Sequence, residues 1–508
     1  HRVLALNRGE NEKALAVKVT APEETILRYL EKQVIVRENP YTTPALKAVV
    51  QDSYERLIAP SIEREVRNEL TEKAEEGAIK VFGKNLEQLL MQPPIVGRVV
   101  LGWDPAFRTG CKLAVVDGTG KVLDTVVIYP TAPQNRVEES KKILKNLIKK
   151  YNVSLISVGN GTASRESEQI IVDLLKEIKE QVQYVIVNEA GASVYSASKL
   201  ATEEFPQYDV NLRSAISIAR RLQDPLAELV KIDPKAVGVG QYQHDMPPAR
   251  LAEALDGVVE HCVNSVGVDL NTASAPLLQR VAGVSAAVAK NIVAWREENG
   301  AFRARKQLLK VAKLGPKAYE QCAGFLRVPG AAHKLDASAV HPESYGAALA
   351  VLQACGFTEE DIGTQAMEAL PQRAKAIGLE ALAKRAGVGV PTLQDILAEL
   401  QKPGRDMRDE LPPPLLRTDV MKLEDLRAGM QLTGTVRNVI DFGAFVDLGV
   451  HQDGLVHISQ ISNRYIRHPS EVLKVGDIVT VWVLSVDVAK KRIALTMKPP
   501  AGSQQKNA

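Results

Sequence analysis

Cysteine is scarce in this sequence: four residues in 508, Cys111, Cys262, Cys322 and Cys355, far apart and none in a C-x-x-C pair. That spacing argues against a zinc ribbon or a redox dithiol. It fits reduced, mostly buried thiols and hence a cytoplasmic location. Long apolar runs are lacking as well. No stretch approaches the roughly 20 residues a membrane helix needs, so no membrane partner is expected. The chain opens on His1 rather than Met, and no leader pattern of basic, apolar and small residues follows. The expectation is a segment whose natural start lies upstream. Charge of one sign is also missing: 64 Lys and Arg face 61 Asp and Glu, a net charge of +3. Aromatic residues make up 5%, with eight Phe in all.

What is present is ordinary globular composition, 45% hydrophobic and 25% charged, in a chain too long for one core. Two to five domains are expected. The charge is uneven where the total is not. From 301 to 317, "AFRARKQLLKVAKLGPK" holds six basic residues and no acidic one. Such a run is an electrostatic footprint for phosphate, whereas a merely solvated helix face mixes both signs.

Along the chain, "RVLALNRG" and "ALAVKVT" read as a small hairpin. Helical spacing follows from Glu23 to about Gln92 and breaks at Pro93 and Pro94. Three strand-like runs then come in succession, "VGRVVLGWD", "KLAVVD" and "VLDTVVIY". A helix, the strand "VSLISVGNG", a second helix and the strand "YVIVNEA" complete the order βββαβαβ. That order predicts a mixed five-stranded sheet of the RNase H-like class, not a doubly wound Rossmann sheet. After Val268, "LLQRVAGVSAAVAKNIVAWREENG" and "KQLLKVAKLGPKAYEQCAGFL" repeat one α-hairpin design with Gly283 and Gly315 at the turns. A weakly patterned helical region runs from Asp336 to Leu400, and "QKPGRDMRDELPPPLLR" reads as a linker. Five short strands from 430 to 498 predict a small closed barrel of OB type.

Three groups of residues carry candidate chemistry. In "DFGAFVDLG" Phe442 and Phe445 flank Gly443, with His457 on the neighbouring strand. Beside Arg437 and Lys491–Arg492 they form a stacking platform with phosphate partners for single-stranded nucleic acid. The alternative is that both rings fill the barrel core. In the α-hairpins, Gly283, Val284, Gly315 and Lys317 are placed to grip backbone phosphate without reading sequence. The alternative is an ordinary helical corner. In the sheet, Asp104 ends the first strand, Glu189 follows the fifth, and Asp245 lies further on. Metal-dependent nucleases of this fold gather three or four such carboxylates around two divalent ions. Asn160 stands at the fourth strand tip where a stronger site has an acid, and the alternative is that these acids cap turns on a scaffold.

Together "HRVLALNRGE", "GWDPAFRTGCKLAVVD", "GNGTASRE", "VNEAGASVYSAS", "VGVDLNTAS" and "VHISQIS" resemble the bacterial Tex family of transcription accessory proteins. The resemblance covers nearly the whole chain. It implies a helical region, a YqgF (RuvC-like) domain, helix-hairpin-helix repeats and a ribosomal-type RNA-binding OB domain, preceded by further helices upstream. It implies a protein that binds RNA or DNA near transcription, with RNA polymerase or a transcription complex as a partner. It also implies that the YqgF domain need not be an active nuclease.

The expected architecture is multidomain and mainly α. Residues 1–96 form a helical region with an N-terminal hairpin and 97–262 the α/β RNase H-like domain. Residues 263–330 form the tandem helix-hairpin-helix and 331–411 a helical domain and linker. Residues 412–500 form the OB-fold barrel and 501–508 a disordered tail. The expected activity is non-specific nucleic-acid binding without a cofactor. The rival is a nuclease using Mg²⁺ or Mn²⁺ on Asp104, Glu189 and Asp245. A third reading gives the helical regions 23–92 and 336–400 to polymerase docking.

Overall fold

The computed structural model describes residues 1–499 except 412, 413, 415, 418–425, 441, 451, 475, 489 and 491. The tail 501–508 and Lys491 therefore lie outside the described residues. The chain divides into two compact units, one of His1–Glu87 with Gly238–Val258, the other of Gln88–Val237 with Val259–Ala508. No helix among the described residues is long and apolar enough to cross a membrane.

The first unit is helical from its start. Arg2–Asn11 is a helix where the sequence suggested a hairpin strand. The reason lies in its polar side chains. Asn7 and Glu10, three residues apart, both accept from the Arg67 guanidinium, at 3.1 and 2.7 Å, and Asn7 also donates to Thr71 at 3.0 Å. Only a helix puts positions 7 and 10 on one side, and a short apolar run cannot reveal that by itself. Glu23–Val34, Thr43–Ser53 and the long Ala59–Leu90 follow. Phe82 packs against the backbone of Gly240, where a Cβ would collide with its ring.

In the second unit the five-stranded sheet has the expected topology. Its strands are β1 (Val100–Asp104), β2 (Cys111–Val116), β3 (Val122–Ile128), β4 (Leu155–Gly159) and β5 (Gln183–Val187), in the spatial order β3-β2-β1-β4-β5. β1 runs antiparallel to β2 (Trp103 opposite Leu113) and parallel to β4 (Trp103 opposite Val158). Both faces are covered, which explains why β1, β2 and β4 read as near-continuous apolar runs. Leu144 and Ile148 of helix Val137–Tyr151 and Ile171 of helix Ser164–Glu177 pack with Trp103 and Val158. Ala215, Ile216, Ala219 and Leu222 of helix Val210–Gln223 pack on the other face with Val100 and Ala114.

Past helix Pro248–Val266, a two-stranded parallel pair, β6 (Val268–Asp269) and β7 (Leu326–Arg327), brackets the repeated hairpins. Their helices are Ala275–Leu278, Ala286–Asn299 and Pro316–Cys322. Four further helices from Tyr345 to Gln401 enclose a core of their own around Val351, Met367, Leu382 and Leu393. The stretch read as a free linker is tied down at two points. Arg408 is buried and pairs with Asp406 and Asp224 at 2.7 and 2.8 Å. Arg417 exchanges two 2.8 Å backbone bonds with Tyr184 on the edge strand β5, which covers part of an otherwise open sheet edge.

The barrel closes in the order β10-β12-β11-β8-β9, with β8 (Gln431–Ile440), β9 (Gly443–Asp447), β10 (Asp453–His457), β11 (Ile478–Asp487) and β12 (Arg492–Thr496). Val436, Ala444, Val446, Val456, Val481 and Leu495 fill it.

Candidate nucleic-acid interface and carboxylate pair

β1 delivers Asp104 to the sheet end, and the hydroxyl of Ser214 donates to its carboxylate. Ser214 comes this close because Gly102 has no side chain. A Cβ there would strike the Ala215 carbonyl and lie 2.8 Å from the Ala219 Cβ. Glu189 follows β5, and its carboxylate lies directly over Gly159 and Gly161, where any Cβ would collide with it. Two residues position its loop. Asn160 accepts the Glu189 N–H at 3.2 Å, and Arg221 donates to the carbonyls of Asn188 and Ala190, both at 2.8 Å.

Burial pushes both carboxyls above their ordinary range. For Asp104 the Ser214 bond and the Lys112 charge oppose the rise. For Glu189 the Asp104 charge adds to it, while the Gly161 N–H and the Arg221 charge oppose it. Arg221 is itself pushed down to about 10 by burial, against the pull of Glu228 and Glu189. The structure thus brings Asp104 and Glu189 into each other's field. Asp245 belongs to the other unit, where it pairs with Arg8 at 2.6 Å, and the Arg8 guanidinium lies 4.5 Å from the Tyr242 ring centre. Among the described residues, no three His, Cys, Asp or Glu side chains are grouped as a metal ion would need.

In the first α-hairpin Gly283 takes the left-handed conformation (φ +80°), and Ser285 caps the next helix by accepting from Val288 N. Val284 is buried, and its N–H bonds to the Val281 carbonyl at 3.0 Å. In the second hairpin the matching left-handed residue is Lys313 (φ +67°), and Gly315 is the N-cap at ordinary φ. The repeat therefore pairs Gly283 with Lys313 and Ser285 with Gly315. Lys317 is exposed in the first turn of helix Pro316–Cys322.

One member of the basic run turns inward. Arg305 is fully buried and donates to the carbonyls of Leu326 (2.6 Å), Val340 (2.7 Å) and Ser338 and to the Tyr345 hydroxyl (2.8 Å). Arg303, Lys306, Lys310, Lys313 and Lys317 remain exposed.

On the barrel, antiparallel pairing sets Phe445 opposite Leu455 and Gly443 opposite His457. Alternation then puts Phe445 and His457 on the outer face, with Ala444, Val446 and Val456 inside. The parallel register of β10 and β12, Leu455 opposite Ala494, adds Arg492 to that face. Phe442, in the turn before β9, is 52% exposed. Neither ring is core filler. Arg437 is already occupied, pairing with Asp447 at 2.7 Å and with Asp453 at 3.9 Å.

Family models match the chain segment by segment: a Tex central region-like segment at 1–82, a Tex protein YqgF-like domain at 98–223 and a helix-hairpin-helix motif at 263–327. A second helix-hairpin-helix domain matches 333–408 and an S1 RNA binding domain 425–498. "Transcriptional accessory protein Tex" of Neisseria gonorrhoeae is 50% identical over 516 residues, spanning 100% of this chain and 67% of that one. The chain belongs to the Tex family.

Other relatives include "Uncharacterized protein YdcI" of Bacillus subtilis, 57% identical over 98% of this chain and 69% of its own length. "Protein YhgF" of Escherichia coli is 50% identical over 98% of this chain and 65% of its own. The chain thus spans about two thirds of the length of these bacterial relatives. The weakly patterned region from Asp336 to Leu400 lies within the second helix-hairpin-helix match, 333–408. "GLEALAKRAGVGVPT" carried the signal: Gly387 has φ +69°, as Gly283 has +80°. The positioning roles of Ser214 and Arg221 left no mark in the sequence, since both sit in a helix that reads only as amphipathic.

Proposed function

We propose that this chain is a transcription accessory factor that holds RNA or DNA without sequence preference, using the barrel for single strands and the hairpins for backbone phosphate. The observation that carries the reading is the shared outer face of Phe445, His457 and Arg492, with Phe442 half exposed beside it. Base stacking on such rings contributes about 1–3 kcal/mol each and tolerates any base. The exposed lysines of the basic run and the left-handed turns at Gly283 and Lys313 support phosphate contact, which fixes position and not sequence.

In this reading the YqgF-like domain is a scaffold and not a nuclease. A two-metal centre needs several acids to bridge two ions. The donor set around Asp104 and Glu189 fits such a centre poorly. Ser214 and Asn160 fill neighbouring places with neutral groups, and Arg221 already supplies positive charge. No cofactor belongs to this function. RNA polymerase or a transcription complex is the protein partner, and the four buried free thiols suit the cytoplasm.

Fluorescence anisotropy on a labelled single-stranded oligonucleotide tests the binding face. The double variant Phe442→Ala/Phe445→Ala is expected to lose at least roughly tenfold in affinity. Unchanged affinity removes the barrel site. Incubation of single-stranded, duplex and branched substrates with Mn²⁺ tests the scaffold reading. Cleavage that Asp104→Asn abolishes would replace it with the nuclease reading.

A further inference from the structure

Of the cations the sequence assigned to the two rings, Arg492 shares their outer face, whereas Arg437 is paired with Asp447. Further cations lie in the loop after β10, which starts beside the Phe442 segment. The 3₁₀ turn Ile458–Gln460 bonds directly to the Phe442 segment, Ile458 N to the Phe442 carbonyl at 2.9 Å. The chain then runs through "ISNRYIRHPS". Ile461 is buried, and Ile466 packs against the barrel core. Between them Tyr465 points outward with 91% of its surface exposed.

A single exposed aromatic needs no explanation. Here it comes with a hydrogen-bonded loop backbone and two cations. Arg464 N donates to Ser462 Oγ at 3.1 Å, and Arg467 N and His468 N both donate to Glu471 Oε1, at 3.2 and 3.1 Å. The Gln460 carbonyl accepts Met497 N at 2.9 Å. The loop backbone is thus fixed at both ends. The Arg464 and Arg467 side chains are exposed, and neither makes an ion pair with a described residue.

We infer that Tyr465, with Arg464 and Arg467, is a second stacking subsite, which takes a further base of a single strand already seated on Phe442 and Phe445 and pairs its phosphates. The inference rests on the proposed barrel function. Because the loop backbone is anchored on both sides of Tyr465, stacking a base there orders one side chain and not the loop, and the adjacent guanidinium groups add backbone charge to that of Arg492. Because every base has a π-face, the subsite lengthens the footprint without adding sequence preference.

Length dependence in the full chain tests it. Anisotropy is measured with single-stranded oligonucleotides of about 4 and about 12 nucleotides, one at the short end of the roughly 4–16 nucleotides an OB fold takes and one well inside it. Tyr465→Ala is expected to weaken the longer oligonucleotide roughly tenfold and leave the shorter unchanged, while Tyr465→Phe matches the wild type at both lengths. Arg464→Ala/Arg467→Ala is expected to flatten the slope of log affinity against log salt by about 1.4, from about 0.7 per phosphate on single strands. If Phe442→Ala/Phe445→Ala weakens binding while Tyr465→Ala changes neither length, or both equally, the subsite is wrong and the barrel reading stands. If the phenylalanine variant has no effect, the barrel reading itself falls, and this inference with it.

Discussion

Asn160 accepts the backbone N–H of Glu189 at 3.2 Å. An amide at the tip of β4 thus aims the acid that follows β5, without a third negative charge beside Asp104 and Glu189. Asn160→Asp keeps an acceptor and adds that charge, which like-charged neighbours disfavour. It is expected to lower the melting temperature at neutral pH by several degrees. Millimolar Mn²⁺ is expected to restore part of the loss and to leave the wild type unmoved. Scanning calorimetry with and without the ion reads both effects.

Asp104 and Glu189 both titrate above their ordinary values because they are buried. A group with a raised folded-state pKa favours folding below its unfolded pKa, and that contribution is lost as pH rises through the folded value. Both acids therefore weaken the fold at neutral pH relative to acid. Asp104→Asn and Glu189→Gln are each expected to raise the melting temperature by a few degrees at pH 7. The gain should shrink toward zero as pH falls to the ordinary carboxyl values of 3.8 and 4.5. A gain that does not change with pH would show that charge burial is not its source.

Arg305 joins the two helix-hairpin-helix segments through the carbonyls of Leu326, Ser338 and Val340. Arg305→Met leaves these buried acceptors without a donor, at a cost of about 3 kcal/mol or more. Hydrogen exchange should speed up in 263–327 and 333–408 together. Loss of protection in one segment alone would mean that Arg305 does not couple them.

The exposed lysines should act through salt. Lys306→Ala/Lys310→Ala/Lys313→Ala is expected to reduce the salt slope of duplex binding by up to about 2.7, from about 0.9 per phosphate contact. Sequence preference should stay as it was. An unchanged slope would assign the hairpins to packing instead.

Gly102→Ala is expected to be among the most damaging single substitutions in the sheet domain. The added carbon meets the Ala215 carbonyl and lies 2.9 Å from Ala219 N, and backbone cannot step aside as a flexible side chain does. Soluble yield and melting temperature should both fall. Gly257→Ala, with nothing within 4 Å of its new carbon, should gain about 0.5–1 kcal/mol as a helix-interior replacement.

The chain order of the sheet's strands and the presence of five barrel strands were legible because each is bounded by turn residues, and β1 and β2 are near-continuous apolar runs buried on both faces. The acids at strand ends were legible for the same reason. Pairing was not. Nothing in the local pattern says that Arg437 belongs to Asp447, that Asp245 belongs to Arg8, or that Arg305 points inward, because each depends on residues distant in the chain or on a neighbouring strand. The first helix was misread because its register is written in Asn7 and Glu10, polar residues whose partner Arg67 lies far along the chain.

Lys313 occupies the left-handed turn that Gly283 occupies in the other hairpin. A side chain there carries a backbone cost of roughly 1–2 kcal/mol that glycine does not. Substitution by glycine would ease the turn and erase a charge in the same step. The two halves of the repeat therefore differ in what their turns cost: glycine relieves the backbone at 283, whereas at 313 the same turn holds a cation and bears the strain.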